Sequence, residues 1–458
     1  MSPNPDSIRV TGGAKLAGRV TLDGSKNGSL PLLAAALLTD DECIIRNVPL
    51  IEDVHTMVEL LRALGARASL GGDGVARIAS EGRLSSEAPL DLVRRMRASF
   101  WVAGPLLARL RQALVPLPGG CDLGSRPVNF HLEAFARLGA QITVEHGYMK
   151  ARADALRGAT IYQDARVRSM GATMNTVMAA ALADGVTLIQ NASCEPEVVD
   201  LCRFINRMGG RIEGAGTTTL RVDGVARLHR CEFRASCDRI EAGTLLLAGA
   251  ISRGDVTVGP LDPDQLQCFL ETLASTGAEV SIQDPAELGA GSPTPRFAAS
   301  GEAAPEDAPP ERDIRVICSS RPRAVDIVTG PHPSFHTDLQ PQTVALLCLA
   351  DGTSVVQERV YGGRLVHADE LRRMGAEIKV VDQTAIVTGV ERLTGAMVQA
   401  QNIRAGAALV LAGLAAEGVT EITGRHHIDR GYANLEAKLA ALGANVQANN
   451  NRRRPCSA

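Results

Sequence analysis

Six uniformly apolar stretches recur along the chain, and each begins with small polar or charged residues. A helix that is apolar on every side must be buried, so each stretch predicts one core helix. A β-branched segment such as VTLIQN or TSVVQE follows most of them and predicts a strand. The stretches are LPLLAAALLTD, FWVAGPLLARL, MNTVMAAALADG, GTLLLAGAISRG, TVALLCLADG and GAALVLAGLAAEG.

An amphipathic pattern alternates with the apolar one and ends each time at a glycine followed by an alternating strand. A helix ending at such a glycine predicts a left-handed C′ residue. The spacing is about seventy residues, except for one interval about thirty residues longer, which indicates an internal repeat. The six glycines are Gly65, Gly139, Gly209, Gly277, Gly375 and Gly443.

Each repeat therefore contains a buried helix, a half-exposed helix and about four strands. We expect an α/β (α+β) fold of six β-α-β-α-β-β repeats. Helices should lie inside and sheets outside, so that the protein is a two-lobed, inside-out α/β barrel. A linear solenoid is the alternative, but no polar capping repeat is present. The longer interval contains residues 284–313, rich in Pro, Gly, Ala and acidic residues, and this composition predicts a disordered insert.

Composition narrows the class of protein. Of the 458 residues, 45% are hydrophobic and 22% charged, and the net charge is −3, so neither nucleic acid nor an anionic membrane is an expected partner. No apolar run reaches the length of a membrane span, and the polar start, Met1 to Val10, lacks a signal-peptide core. The ten cysteines show no metal-binding spacing. These features predict a cytoplasmic protein without a metal, and nothing requires an oligomer.

Three of the buried helices begin near a cation, namely Lys26, Arg97 or Arg404. A cation at a helix N-terminus is mildly unfavourable, so three such placements indicate a function. Helix N-termini and guanidinium groups both bind phosphate and carboxylate, which predicts a small, multiply anionic ligand.

Residues 117–127, LPGGCDLGSRP, show neither helical nor strand periodicity, and their glycines predict a mobile loop. Cys121 in this loop is close to Arg126, a setting that favours the thiolate. Cys121 is therefore a candidate acid or nucleophile, whereas the other cysteines lie mostly in helix or strand patterns and are expected in the core.

Eight motifs spread from about residue 8 to 447 resemble the UDP-N-acetylglucosamine enolpyruvyl transferases. The resemblance implies two lobes of three repeats, with ligands bound between them and no metal or organic cofactor. Lobe one would be residues 24–235, with the Cys121 loop as its lid, and lobe two would be residues 1–23 and 236–458. The motifs are GSKN (24–27), MRAS (96–99), PGGC with GSRPV (118–128), EPEVVD (195–200), DRIE (238–241), TD (337–338), IRAG (403–406) and HIDRGY (427–432).

The resemblance also implies the chemistry. Cys121 would protonate the methylene carbon of phosphoenolpyruvate while Asp338 takes the proton of the acceptor hydroxyl. Phosphate would then leave the tetrahedral adduct. Catalytic roles fall on Cys121, Asp338, Lys26 and Arg404. Substrate-binding positions are Asn27, Arg97, Trp101, Arg126, Pro127, Val128, Ser169, Gly171, Val360 and Arg364.

Several positions depart from the family pattern, mostly near the expected acceptor site and the connections between lobes. They leave two acceptors open: the 3-hydroxyl of UDP-N-acetylglucosamine in peptidoglycan precursor synthesis, and the 3′-hydroxyl of UMP, as in nucleoside-antibiotic enzymes. A non-catalytic nucleotide-binding paralogue is a remote third hypothesis, since Cys121 and Asp338 are both retained. A loop His336 facing solvent and an Asp338 that caps its helix are further expectations. The departures, with the family's usual residues in parentheses, are Asn129 (Asp), Arg168-Ser169-Met170-Gly171 (Pro-Ser-Val-Gly), Cys194 (Arg), His336 (Pro), Gly362-Gly363 (Glu-Asn) and Asn402 (Asp).

Overall fold

Two units divide the chain, and each contains three small sheets. The inserted unit is Asp23–Asp238, and the split unit joins Met1–Leu22 to Arg239–Ala458. The sequence predicted lobe boundaries at 23/24 and 235/236. This computed structural model describes residues 6–82, 84–118, 128–164, 168–284 and 311–448.

The split unit contributes the first two strands, β1 (Ser7–Thr11) and β2 (Ala17–Thr21), before the chain enters the inserted unit. Seven helices follow: α1 (Lys26–Ala35), α2 (Glu52–Ala63), α3 (Leu90–Arg95), α4 (Ala103–Leu110), α5 (Asn129–Arg137), α6 (Met170–Ala180) and α7 (Pro196–Arg207). The strands among them are β3 (Cys43–Arg46), β4 (Arg67–Leu70), β5 (Ala76–Ala79), β6 (Gln112–Pro116), β7 (Gln141–Glu145), β8 (Tyr148–Arg152), β9 (Thr160–Tyr162), β10 (Val186–Gln190), β11 (Arg211–Glu213), β12 (Thr219–Asp223) and β13 (Cys231–Arg234). Short 3₁₀ helices span Ala36–Leu38 and Arg97–Val102.

The rest of the split unit repeats this alternation. Its helices are α8 (Arg239–Ile251), α9 (Gln267–Ser275), α10 (Gln340–Leu347), α11 (His367–Arg373), α12 (Ile403–Ala415), α13 (Arg425–Asp429) and α14 (Leu435–Ala441). Its strands are β14 (Asp255–Leu261), β15 (Glu279–Gln283), β16 (Arg312–Ile317), β17 (Ile327–Val328), β18 (Thr353–Gln357), β19 (Glu377–Val381), β20 (Thr384–Thr388), β21 (Met397–Gln399), β22 (Val419–Thr423) and β23 (Asn445–Ala448). The 3₁₀ helices are Pro263–Leu266, Thr337–Leu339 and Arg364–Val366.

One pairing scheme recurs in the described sheets. In the sheet of β9 to β12, for example, β9 runs parallel to β10. Both β10 and β11 pair antiparallel with β12, which therefore lies between them. The inserted unit has the orders β13-β3-β5-β4, β9-β10-β12-β11 and the three-stranded β6-β8-β7, where a single parallel bridge from Glu87 to Leu114 takes the place of the first strand. The split unit has β2-β14-β16-β15, β17-β18-β20-β19 and β21-β22-β1-β23.

The core of the split unit is the packing of its three apolar helices, α8, α10 and α12, against one another. All thirteen residues of α8 are buried. Strand residues that face these helices are also buried: Ile8 lies opposite Ile422, and both are at most 1% exposed. The helices therefore lie inside and the sheets outside within this unit, which confirms the α/β class.

The six repeat glycines adopt the predicted left-handed conformation, with φ between 93° and 98°. At most of them, the N–H of the residue after the glycine donates a hydrogen bond back to a carbonyl in the last turn of the helix. An example is the bond from Ala66 N–H to the Leu61 carbonyl at 3.0 Å. A side chain at this φ is strained, so the repeat keeps glycine where its second helix ends.

Two predicted elements are wrong in detail. The stretch FWVAGPLLARL is a 3₁₀ turn followed by α4, because Pro105 has no N–H to donate to an earlier carbonyl. The predicted insert extends too far, since Arg312 and Asp313 belong to β16, and buried Asp313 accepts a 3.0 Å bond from Arg19. The rest of that insert, residues 285–310, lies outside the described residues.

Candidate active site

Asp338 lies between two guanidinium groups in the split unit. One carboxylate oxygen, Oδ2, accepts from Arg404 Nε at 3.1 Å and from Arg404 Nη2 at 3.0 Å. The other oxygen, Oδ1, pairs with Arg364 Nη2. The Asp338 side chain keeps 18% of its exposure, whereas those of Arg364 and Arg404 keep 2% and 4%. Two nearly buried cations thus converge on one partly exposed carboxylate.

Both arginines are anchored on elements that fix their orientation. The guanidinium of Arg364, at the start of a 3₁₀ helix, also donates to the Thr337 carbonyl from Nε and Nη2, each at 3.2 Å. Arg404 lies in the first turn of α12, and its Cζ is 5.3 Å from the ring centroid of Tyr432. The Asn402 side chain caps α12 by accepting from the N–H groups of Arg404 and Ala405, at 3.1 and 2.9 Å.

A buried polar network holds the backbone around Asp338. Gln342 Nε2 donates to the Asp338 carbonyl at 2.9 Å and lies 3.2 Å from both Thr244 Oγ1 and the Tyr432 hydroxyl. The Thr337 hydroxyl donates to Glu358 at 2.9 Å. The Glu358 carboxylate also accepts from the N–H of half-buried Val360 at 2.7 Å. This bond connects Val360, a predicted substrate-binding residue, to the network.

His336 caps the 3₁₀ helix Thr337–Leu339: its Nδ1 accepts from the Asp338 N–H at 3.0 Å. The expectation of a solvent-facing loop histidine is therefore wrong, since the residue is half-buried and hydrogen-bonded. The expectation that Asp338 itself caps the helix is also wrong, because its carboxylate is bound by the arginines.

In the inserted unit, Lys26 begins α1 and pairs with Asp53 at 2.6 Å, both side chains being nearly buried. The Lys26 N–H donates to Asp238 at 3.0 Å, and Ser25 caps the helix at the Gly28 N–H. Asn27 follows in the first turn and is half-buried. The ammonium is thus held at a helix start, as the sequence predicted.

A second group in the inserted unit surrounds the start of α6. Gly171 leaves room there: a methyl group on it would lie 3.4 Å from Trp101 Nε1 and 3.5 Å from His131 Nε2. Ser169 caps α6 at the Ala172 N–H, and Val128 stands before α5, which packs against α6. Three of the predicted substrate-binding residues thus lie at the starts of two packed helices.

His131 belongs to this group, although the sequence analysis did not single it out. Its Nδ1 is 2.9 Å from Asn175 Nδ2, and its ring meets Phe100 edge-on at 5.2 Å. Burial, aided by Arg97, lowers the pKa of His131 to about 3, so the ring is neutral. Because the Asn175 amide donates to Nδ1, the proton is on Nε2, directed to the side of Gly171. Its position three residues after the GSRPV motif was the one sequence feature that could have identified His131 as a site residue.

Residues 10–439 match the family model described as EPSP synthase (3-phosphoshikimate 1-carboxyvinyltransferase). The chain belongs to this family. Among curated relatives, the UDP-N-acetylglucosamine 1-carboxyvinyltransferase 1 of Caldanaerobacter subterraneus is 45% identical over 94% of this chain and 96% of its own length. The UDP-N-acetylglucosamine 1-carboxyvinyltransferase of an Anaeromyxobacter species is 45% identical over 96% and 99%. The protein is therefore a transferase.

Solved structures of family members share the fold. The enolpyruvyl transferase NikO from Streptomyces tendae superposes with a TM-score of 0.82 at 25% identity, over 96% of this chain and 98% of its own. EPSP synthase from Acinetobacter baumannii gives 0.70 at 17% identity over 96% and 100%, which is a likeness of fold alone.

Three residues that the family pattern assigns, Cys121, Arg126 and Pro127, lie outside the described residues. The cysteines that are described behave as core residues: seven are buried and Cys268 is half-buried. Burial raises the pKa of Cys202 and Cys348 to about 12, so both are unreactive thiols.

The described ranges show neither a metal cluster nor a membrane-spanning helix. They contain no group of three His, Cys, Asp or Glu side chains that could hold a metal ion. None of the helices in those ranges is long and apolar enough to cross a bilayer.

Two departures from the family pattern keep the local geometry. Asn402 caps α12 through the side-chain oxygen that the usual aspartate would also present. His336 has φ −73°, within the range of the usual proline, so both residues suit the same turn.

Proposed function

We propose that this family member transfers the enolpyruvyl group of phosphoenolpyruvate to the 3-hydroxyl of UDP-N-acetylglucosamine, with release of phosphate, and so makes a peptidoglycan precursor. The observation that carries the proposal is the position of Asp338 between Arg364 and Arg404. A base and two cations are what the addition step requires: one group to accept the hydroxyl proton, and two to bind phosphate and carboxylate. The curated relatives that carry this activity in their names support the choice of acceptor.

Substrate binding would free the base. Both Asp338 oxygens are engaged by guanidinium groups, which makes the carboxylate a poor proton acceptor. Phosphoenolpyruvate carries a phosphate and a carboxylate that compete for the same donors. When they take the arginines, Asp338 is released to accept the acceptor proton, so we expect phosphoenolpyruvate to promote the active form of the base.

The remaining roles follow the family pattern. Cys121 gives its proton to the methylene carbon while the acceptor oxygen bonds to the adjacent carbon. Loss of phosphate and of one methyl proton then restores the double bond, so that atoms balance over the cycle. Lys26 and Arg97 would bind anionic substrate groups in the inserted unit. Asn27, Trp101, Val128, Ser169 and Gly171 would contact the nucleotide.

Phosphate release tests the proposal. The protein is incubated with phosphoenolpyruvate and UDP-N-acetylglucosamine at pH 7.5, with Cys121→Ala as the matched inactive control. Continuous phosphate release that requires both substrates is the expected result, with a product of the mass of acceptor plus enolpyruvyl group. No phosphate release with any uridine nucleotide would instead support the non-catalytic alternative.

Transfer to UMP is the competing hypothesis, and the departures test it. Substituting Pro at 336, Glu-Asn at 362–363 and Asp at 402 restores the usual family residues. If the departures do not affect the choice of acceptor, as we propose, the ratio of rates with the two acceptors stays unchanged. A shift from UMP toward UDP-N-acetylglucosamine would show that these positions had altered the acceptor.

A further inference from the structure

The hydrogen bond between His336 and Asp338 defines the charge state of the imidazole. A backbone N–H can only donate, so Nδ1, 3.0 Å from the Asp338 nitrogen, must present a lone pair. His336 is therefore neutral, with its proton on Nε2, whenever this bond is formed. Protonation would set an Nδ1–H against the Asp338 N–H and break the bond.

The hydrogen bond from Asp338 N–H to His336 matters most when the Asp338 carboxylate acts as the base. Without substrate, the two arginines hold the Asp338 carboxylate. If a substrate anion takes the arginines, Asp338 is positioned by its main chain, where His336 binds the N–H and Gln342 binds the carbonyl. A general base must lie within about 3 Å of the proton it accepts, so loss of one of these ties lowers turnover.

The surroundings of His336 contain charges of both signs. A small pocket beside it is lined by nearly buried Arg239 from α8 and by Cys268 from α9. His332 from its own loop lines the same pocket. Cationic Arg239 opposes protonation of the imidazole, whereas anionic Asp338 favours it. Other charged groups in contact with the 336–338 segment include Arg364, Arg404 and Glu358, the last bound to Thr337.

We propose that neutral His336 is a positioning residue for Asp338, and that its protonation releases Asp338 and slows enolpyruvyl transfer. The inference rests on the proposed function, because it takes Asp338 as the base. It assigns a role to a residue that departs from the usual proline of the family. Proline would hold the same turn by its fixed φ and would leave it insensitive to pH.

Two substitutions separate the hydrogen bond from the titration. His336→Asn places an oxygen where Nδ1 lies, so it keeps an acceptor for the Asp338 N–H but does not titrate. His336→Ala removes the acceptor altogether. The steady-state kcat of both variants and of the wild type is measured from about pH 5.5 to 8.5, with the KM for phosphoenolpyruvate, in the assay described above.

The expected result is specific to positioning. In the wild type, kcat should fall on the acid side as the imidazole protonates. His336→Asn should keep wild-type kcat at pH 8 and lose this acid limb. His336→Ala should lower kcat about five- to tenfold at pH 8 and approach the wild-type value at acid pH, with the KM for phosphoenolpyruvate changed less than about twofold, as for the loss of one cap. The substrate phosphate titrates alike in all three enzymes, so it cancels in the comparison.

An unchanged acid limb in His336→Asn would overturn the proposal, as would wild-type turnover by His336→Ala. Asp338→Asn is assayed beside them. If it is inactive while both His336 variants behave as wild type, the positioning role fails and the proposed function stands. Full turnover by Asp338→Asn would instead overturn the base assignment itself.

Discussion

At the scale of single residues, Asp338 has two roles that oppose each other. It neutralises two nearly buried arginines, and as the proposed base it must release them. The sequence identified Asp338, Arg364 and Arg404 through the family motifs. It did not reveal that the three touch, because they lie 26 and 40 residues apart and only the folded chain brings them together. The capping role expected for Asp338 belongs to His336, because the two arginines occupy the Asp338 carboxylate.

Asp338→Asn tests both roles. We expect turnover to fall about 10²- to 10⁴-fold, the usual contribution of a general base. The free energy of unfolding should also fall, by roughly 1–3 kcal/mol, because two arginines lose their counter-charge; the carboxylate is partly exposed, so the loss is smaller than for a fully buried pair. Thermal unfolding with and without phosphoenolpyruvate measures this second effect.

The unfolding temperature measured with phosphoenolpyruvate tests whether Asp338 competes with the substrate for the arginines. Phosphoenolpyruvate should raise the unfolding temperature of the variant more than that of the wild type, since no carboxylate competes with it for the arginines. Asp369→Asn, at an exposed ion pair with Arg372, is the matched control and should change neither quantity. An Asp338→Asn protein as stable as the wild type would contradict the electrostatic account.

At the scale of elements, charged candidate site residues lie at the starts of helices. The first turns of α1 and α12 carry Lys26 and Arg404, and the 3₁₀ helix Thr337–Leu339 carries Asp338. The glycine ends and the apolar helices were predictable because they depend on local backbone and burial. The change from a 3₁₀ helix to α4 after Val102 and the strand that begins at Arg312 were not predicted, since the strand depends on pairing with β14 and the apolar pattern is the same in both kinds of helix.

The cap of α12 should couple helix stability to ligand binding. Asn402→Ala removes two hydrogen bonds at the helix start and should cost about 0.5–2 kcal/mol of stability. Because Arg404 loses its fixed backbone, the KM for phosphoenolpyruvate should rise several-fold. Asn402→Asp keeps the cap and adds a favourable charge at the N-terminus, so its stability and KM should stay near those of the wild type. Equal behaviour of the two variants would show that the cap does not position Arg404.

At the scale of the whole molecule, the repeat was the strongest sequence signal. Three sheets in each unit follow one pairing scheme, and they do so with strands from distant parts of the chain, such as β1 beside β22 and β23. Hydrophobic periodicity predicted the elements of each repeat. The resemblance to the family was needed to predict which repeats share a lobe, because periodicity carries no information on the partner of a strand.

Stability should depend on pH through buried groups in both units. Burial lowers the pKa of His131 to about 3 and that of His367 to about 4, both from 6.5. Below pH 6.5 the unfolded chain binds protons that these folded histidines refuse, so the free energy of unfolding decreases as the pH falls toward 4. Asp200 opposes this, since burial raises its pKa to about 6 and its folded form takes up a proton first.

Two histidines against one aspartate leave a net loss of stability on acidification, spread over the range from about pH 6.5 to 4.5. Urea unfolding followed by circular dichroism at several pH values between 7.5 and 4.5 measures it. His367→Asn should flatten the dependence, whereas substitution of the exposed His229 should not. Stability that increases steadily as the pH falls over this range would contradict the burial of two neutral histidines.

The central claim is the identity of the acceptor, and a competition experiment tests it most directly. The protein receives phosphoenolpyruvate with UDP-N-acetylglucosamine and UMP at equal concentrations, and mass spectrometry measures both products at early times. Their ratio equals the ratio of kcat/KM for the two acceptors and does not depend on the amount of active enzyme. We predict that enolpyruvyl UDP-N-acetylglucosamine is by far the main product. A predominance of enolpyruvyl UMP, or phosphate release without either product, would contradict the account.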